Sequence, residues 1–319
     1  MTGLLHALLF DGRGGARALD WAGVKAWSPN DGVLWINLDY TELDAKQWIE
    51  TSIDPLVRDA LLDPDPRPRA VAHGEDLLLI VRGINLNEGF SPEDMLSVRA
   101  FVEPRRIVTL RHRVSRSLKT LQAELESGRG AKTAADFTVT LVERIVEHVV
   151  TRVDELGDQV AASEDQVLSE HRGDLRGKLA DLRRRAIAMR RFLAPQREAL
   201  GKLAAISLAW LDPEHRARIG EVADRMTRTV EELDAARDRA AVTQEELGAR
   251  SAEATNKRLY VLALITAVFL PLGFVCALFS VGVGGVPLKN NDWAFWGLVA
   301  AFVIFVAVQL YLFKKRGWL

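Results

Sequence analysis

The chain has 319 residues, and its 42 Lys and Arg residues against 43 Asp and Glu residues give a formal net charge of −1. That balance argues against a nucleic-acid binder, which normally carries a basic excess. With 48% hydrophobic and 27% charged residues, the chain is neither disordered nor wholly embedded in a membrane. The single cysteine, Cys276, excludes an internal disulfide and a cysteine-cluster zinc site.

Residues 1–130 are predicted to form a cytoplasmic α/β domain. Short, β-rich and often alternating runs predict strands at 4–10, 33–38, 76–84, 95–101 and 106–112. Helical periodicity predicts two helices at 43–49 and 53–62, and the proline-rich run DPDPRP follows them at 63–68. Strands mixed with helices indicate a sheet flanked by helices, so the fold class of this part is α+β.

Residues 131–258 are predicted to form a helical stalk or funnel. A first helix begins near Thr133 or Asp136, and breaks in the helical pattern are predicted at 171–173 and 210–213. The helix that begins near Pro213 shows no stop before Pro271. If it continues into the next segment, it has roughly 60 residues and a length of about 90 Å, which is typical of a stalk.

Two apolar runs at the C-terminal end, 259–280 and 293–313, contain no Asp, Glu, Lys, Arg or His. A helix of about 20 residues spans roughly 30 Å, the thickness of a bilayer's hydrocarbon core. We therefore predict transmembrane helices over both runs, with a periplasmic loop at 281–292 and a basic cytoplasmic tail at 314–319. The alternative is a buried core helix, which two such runs in succession disfavour.

The charges beside the spans predict the orientation in the membrane. Lys257 and Arg258 precede the first span, and a basic cluster follows the second span at 314–316. The loop between the spans carries only Lys289 and Asp292 as charged residues. Because positively charged flanks stay in the cytoplasm, we expect both termini to be cytoplasmic in a multi-pass membrane protein.

The first span carries a stripe of mainly small or polar residues at a seven-residue repeat. The stripe is Asn256, Leu259, Ala263, Thr266, Leu270, Gly273, Ala277 and Ser280. One interpretation is the wall of a narrow pore, and the alternative is helix-to-helix packing without a pore. Two spans cannot enclose a polar path, and charge in hydrocarbon is costly, so transport would require an oligomer.

The spans offer few metal ligands, because zinc prefers imidazole, thiolate and carboxylate groups. Cys276 lies next to the stripe and is more simply a small apolar residue, so an ion would cross largely hydrated, held by Thr266, Ser280 and carbonyls. Glu245 and Glu253 could face a funnel that concentrates cations; the alternative is a solvated helix. The six histidines form no local two-histidine zinc motif, so metal-binding residues stay unassigned.

The order of motifs resembles the CorA family of metal ion transporters, and within it the ZntB-type zinc transporters. At the C-terminal end the resemblance rests on FLPLGFVCALF, VGGVP and KKRGWL. In the cytoplasmic part it rests on WINLDY, DPLVRDALL, RPRA, RGINLN, PEDM and APQREAL. It covers nearly the whole chain. It implies a homopentamer of CorA-like architecture in the lipid of the bacterial inner membrane, with the first span lining the pore.

This chain departs from the family at the pore mouth. The family carries a Gly-x-Asn signature there, whose asparagine side chains form a ring around the hydrated ion. Here Ser280, Val281 and Gly282 occupy those positions. The predicted pore mouth therefore consists of Ser280, Val281, Gly282, Val283, Gly284 and Gly285, which offer backbone groups and one hydroxyl.

Three functions remain open on the sequence. The first is uptake of zinc or another divalent cation, coupled to the proton gradient as the resemblance implies, with no cofactor besides the transported ion. The second is a CorA-like Mg²⁺/Co²⁺ channel gated by cytoplasmic metal. The third is a membrane-anchored sensor without transport, suggested by the missing asparagine. The chain has no Walker-type phosphate loop, nucleophile elbow or metalloprotease helix, so we do not expect an enzyme.

Overall fold

A computed structural model of the chain describes residues 3–168, 175–280 and 293–316. They fall into two units, Met1–Gln244 and Glu245–Leu319. The predicted boundaries at 130 and 258 stay predictions. The break predicted at 171–173 and most of the predicted pore mouth lie outside the described residues.

The first unit is built on a mixed seven-stranded sheet. Its strands are β1 (Leu4–Phe10), β2 (Ala16–Leu19), β3 (Leu34–Asp39), β4 (Arg69–His73), β5 (Asp76–Gly83), β6 (Leu96–Val102) and β7 (Arg106–Arg111). Their order is β2-β1-β3-β7-β6-β5-β4. β3 and β7 pair in parallel, and the other neighbours pair antiparallel.

Eight α-helices are described, and most of them follow the strands in the chain. They are α1 (Trp21–Ala26), α2 (Leu43–Ser52), α3 (Pro55–Leu62), α4 (Arg116–Glu126), α5 (Ala134–Leu168), α6 (Leu175–Ala205), α7 (Pro213–Ser280) and α8 (Ala294–Lys315). The prediction of one uninterrupted helix from Pro213 through Pro271 is confirmed, and α7 has 68 residues. α6 likewise continues through Pro195.

The sheet has a hydrophobic core on each face, because alternate residues of each strand point to opposite sides. On one face, Ala7 and Leu9 of β1 share a core with residues of α2 and α3. On the other face, Leu8 and Phe10 share a core with α4 to α7 that extends to Ala240.

Trp35 belongs to the second of these cores and is fully buried. Its Nε1 donates a hydrogen bond to Thr109 Oγ1 at 2.8 Å, so the indole N–H is satisfied. Its ring lies 4.8 Å from the ring of Phe137 on α5, centroid to centroid. This aromatic pair connects the sheet to the first long helix.

The second unit contains the C-terminal part of α7 and α8, which pack against each other. Both helices are long and apolar enough to cross a membrane, and none of the most apolar stretch of either helix is buried inside the chain. A core helix of a soluble protein would be buried. This exposure supports the prediction of two membrane spans.

Candidate functional site

The two apolar helices use one face of α7 for their mutual contact. This half-buried face consists of Leu264, Ala267, Val268, Pro271, Leu272 and Val275. The matching half-buried residues of α8 include Leu298, Phe302, Val306, Gln309 and Phe313. Spacings of three and four residues on both helices place each set on a single side.

All eight residues of the stripe predicted to line the pore are exposed in the single chain, from Asn256 to Ser280. The stripe therefore lies outside the half-buried contact face, although Ala263 also borders the cavity between the two helices, and its exposed side is free to face other copies of the chain. At Gly273 an added Cβ would meet nothing within 4 Å, so the space beside this glycine is open. That the stripe lines a pore remains a prediction.

Two hydroxyl groups supply the polar side chains of the stripe within the apolar span. Thr266 Oγ1 donates to the Leu262 carbonyl and Ser280 Oγ to the Cys276 carbonyl, each at 2.9 Å. The hydroxyl hydrogen is thus used inside the helix. The oxygen keeps lone pairs that can accept hydrogen bonds from water around a cation.

The structure describes some, but not all, of the other residues predicted to lie along the ion path. Ser280 is the last described residue of the predicted pore mouth, while Val281, Gly282, Val283, Gly284 and Gly285 lie outside the described residues. Glu245 and Glu253 are exposed on α7. Between them, Glu246 pairs with Arg250 at 2.6 Å, which is a solvated helical pair of the ordinary kind. The funnel role of Glu245 and Glu253 stays a prediction.

The described histidines lie outside the two spans in the sequence, and three of them make local contacts. His6 packs edge-on against Trp35 at 4.4 Å, and its burial, helped by the charge of Arg111, lowers the pKa of His6 to about 4. Burial also lowers the pKa of His148, whose Nδ1 lies 3.2 Å from Ser117 Oγ. Among the described residues, no group of three or more His, Cys, Asp or Glu side chains could hold a metal ion.

His215 connects the N-termini of the two long helices α5 and α7. Its Nε2 lies 3.0 Å from Asp136 Oδ1, and its Nδ1 lies 2.7 Å from Asp212 Oδ1. The second contact lacks hydrogen-bond geometry and acts as an ion pair. Burial opposes the charged ring, but the two carboxylates outweigh it and raise the pKa of His215 above its ordinary value.

The arginine-rich run of α6 makes contacts that the sequence did not indicate. The sequence favours a solvated or intersubunit salt-bridging face for the arginines at 183–185, 190 and 191. Arg185 and Arg190 pair inside the chain, while Arg190 is also 45% exposed, and an intersubunit role stays a prediction. Arg185 Nε donates to Glu93 Oε1 at 2.7 Å, and Arg190 Nε donates to Asp234 Oδ1 at 2.6 Å. Glu93 is 7% exposed and belongs to the PEDM motif, so this motif docks its loop onto α6.

Comparison with known proteins decides the family. The model of the family described as "CorA-like Mg2+ transporter protein" matches residues 30–315. The chain belongs to the CorA family of divalent cation transporters. It is a transporter and not an enzyme.

Relatives within the CorA family cover almost the whole chain. The "Divalent cation transporter CmaX" of Pseudomonas aeruginosa is 35% identical, over 99% of this chain and 97% of that protein. The "Zinc transport protein ZntB" of Yersinia enterocolitica is 30% identical, over 99% of this chain and 96% of that protein. The structure of full-length CmaX matches with a TM-score of 0.88 at 34% identity, over 99% of this chain and 98% of that chain.

Proposed function

We propose that the chain assembles into a homopentamer in the bacterial inner membrane and carries divalent cations, with zinc as its main ion, into the cytoplasm. The observation that carries this proposal is the exposed stripe of α7, which bears the hydroxyls of Thr266 and Ser280 and is not covered by α8. Five such stripes around one axis would form a narrow polar path. A single copy offers no enclosure for a charged ion in hydrocarbon.

The choice of zinc is supported by the relatives named for zinc transport and by the motifs shared with ZntB-type transporters. A specific observation favours a second candidate. The spans contain no His, Asp or Glu, so a cation would keep its water shell and be held by hydroxyl and carbonyl oxygens. Such a path discriminates weakly between Zn²⁺, Mg²⁺ and Co²⁺. The second candidate is therefore a Mg²⁺/Co²⁺ channel gated by cytoplasmic metal.

Uptake into proteoliposomes separates the candidates. Zinc uptake that falls when the pH gradient is collapsed supports proton-coupled zinc import. Uptake that does not depend on the pH gradient and that is faster for Mg²⁺ than for Zn²⁺ supports the Mg²⁺/Co²⁺ channel. An intact pentamer with no flux of any of these ions would overturn both and leave the membrane-anchored sensor.

A pair of neighbouring substitutions tests whether the stripe lines the path. Thr266→Trp should block flux while leaving the pentamer intact, because each added indole brings roughly 150–250 Å² of surface into a narrow bore. Ala267→Trp is the matched control, since Ala267 lies on the half-buried face toward α8 and the bulky ring should impair assembly instead. Normal flux in an intact Thr266→Trp pentamer would show that the stripe is wrongly assigned.

A further inference from the structure

α7 continues through Pro271 inside the apolar span, which leaves one backbone group without its usual partner. In an α-helix, the N–H of each residue donates to the carbonyl four residues earlier. Proline has no N–H, so Pro271 cannot donate to the carbonyl of Ala267. The hydrocarbon core of a membrane contains no water to replace the missing donor, so an unsatisfied carbonyl is unfavourable there.

The second span supplies the missing donor. Gln309 of α8 donates from Nε2 to the Ala267 carbonyl at 2.9 Å. Gln309 is also the only Asn or Gln in the sequence of α8, whose other residues before the basic end are apolar or aromatic. Its Oε1 is buried without a partner among the described residues, so the amide is held through its donor side.

The surroundings make this contact important for holding the spans together. Beside Ala267, the two helices leave an apolar cavity of about 320 Å³, which is also lined by Tyr260, by Ala263 of the stripe, by Leu264 and by Phe313 of α8. Close packing is therefore interrupted next to the hydrogen bond. Where packing is loose, a polar bond between helices fixes their relative position.

We propose that Gln309 is a positioning residue that replaces the N–H missing at Pro271 and so sets the direction of the first span beyond the proline. Pro271 divides the stripe, with Thr266 on one side and Gly273, Ala277 and Ser280 on the other. Prolines are a common site of helix kinks, because one backbone hydrogen bond is missing there. The bond to Gln309 couples the direction of α7 at Pro271 to the second span, so a displacement of α8 moves the outer half of the stripe.

A double-mutant cycle tests the pairing without any use of cation flux. Gln309→Met keeps the length of the side chain but removes the donor, and Pro271→Ala restores the backbone N–H. We expect Gln309→Met to lower the folded-to-unfolded ratio about threefold to twentyfold, the range of hydrogen bonds between membrane helices. In the Pro271→Ala background, Gln309→Met should change the folded-to-unfolded ratio by less than about twofold. The backbone N–H of Ala at position 271 then donates to the Ala267 carbonyl, as in a regular α-helix.

Each outcome of the cycle decides the proposal. If Gln309→Met fails to assemble but is rescued by Pro271→Ala, the pairing is supported. If Gln309→Met is equally harmful in both backgrounds, or harmless in both, the proposal is overturned. Val306→Leu, on the same half-buried face of α8, is the control for altered packing and should not depend on Pro271.

The sole cysteine reports the position of the outer half of α7. Cys276 lies five residues beyond Pro271 and is exposed in the single chain. Gln309→Met should change the rate at which a small thiol reagent labels Cys276 by at least about threefold, and Pro271→Ala should reverse that change. An unchanged rate in an assembled Gln309→Met protein would show that Gln309 does not position this segment. Because neither readout needs transport, failure here is distinct from failure of the proposed function.

Discussion

Replacing His215 tests the contact between the two long helices, because its two carboxylate partners cap different helices. Asp212 accepts a hydrogen bond from the backbone N–H of His215 at the start of α7, at 2.9 Å. Asp136 exchanges hydrogen bonds with Thr133 at the start of α5, at 3.0 and 3.1 Å. The charged ring of His215 thus joins two helix N-termini, where the helix dipole alone would disfavour a cation.

The size of the effect follows from the charge of the ring. A hydrogen bond to a charged group contributes about 1.5–3 kcal/mol, and a neutral one about 0.5–1.5 kcal/mol. The side chains of His215 and Asp136 are 17% and 30% exposed, so partial screening places the charge-dependent difference near about 1 kcal/mol. For a unit of this size, about 1 kcal/mol shifts the melting temperature by roughly 2–4 °C.

The direction of the pH dependence is fixed by the raised pKa of His215. The contribution is fully present below the ordinary histidine value of about 6.5 and is lost as the pH rises through the raised folded value. Burial raises the pKa of Asp136, but the hydrogen bonds it accepts, that from His215 foremost, outweigh burial and lower it. The backbone hydrogen bond from His215 lowers the pKa of Asp212. The contributions of both carboxylates are lost only in acid, so among these three groups only His215 titrates between about pH 5.5 and 9. His6 and His148, whose pKa values are lowered, also make stability depend on pH in this window, but their contributions cancel in the difference from a His215 variant.

The assay is thermal unfolding of the full-length protein in detergent, comparing the native protein with His215→Gln. Glutamine is a neutral donor that imitates uncharged histidine, so it is the matched control for charge. We expect the native protein to melt about 2–4 °C above the variant at about pH 5.5 and the two to converge at high pH. A difference that is constant, or that grows with pH, would refute the reasoning.

Three further predictions concern orientation, the pore mouth and the core. In a Cys276→Ala background, Asn290→Cys should react with an impermeant thiol reagent from the periplasmic side; labelling only from the cytoplasm would refute the orientation. Ser280→Gly with Gly282→Asn, which rebuilds the family signature, should raise uptake or sharpen the preference between Zn²⁺ and Mg²⁺. If neither the uptake nor the preference changes, the selectivity filter lies outside these two positions. Phe137→Ala should destabilise the first unit by about 3–5 kcal/mol in denaturant unfolding, unless the cavity against Trp35 collapses.

Burial determined which strands could be predicted from the sequence. The five predicted strands lie inside the sheet, where long apolar runs are buried from both sides or nearly so. The two that were missed, β2 and β4, are the edge strands. None of the residues of β2 is fully buried, and Arg17 and Ala18 are exposed. Only the pairing of β2 with β1 makes it a strand. Edge strands carry little hydrophobic pattern, so sequence periodicity could not reveal them.

Contacts between residues far apart in the sequence could not be predicted from the sequence. Arg185 and Glu93 are 92 positions apart, and no local spacing connects them. Gln309 does carry a usable signal in the sequence, because an amide in an otherwise apolar span is costly unless it has a partner. A proline in the neighbouring span leaves a carbonyl in need of a donor. These two anomalies can therefore be matched from the amino-acid sequence alone.

The same reasoning bears on how the proposed path could select an ion. The spans contain no His, Asp or Glu, and Cys276 lies beside the stripe and not on it, so selection along the stripe cannot rest on the preference of a metal for imidazole, thiolate or carboxylate. It has to rest on the width of the bore and on the number of oxygens that reach the hydrated ion together. Both depend on the direction in which α7 runs past Thr266 and Ser280. If Gln309 sets the direction of α7 at Pro271, as we propose, its hydrogen bond to the Ala267 carbonyl would act on selectivity through geometry and without contact to the ion.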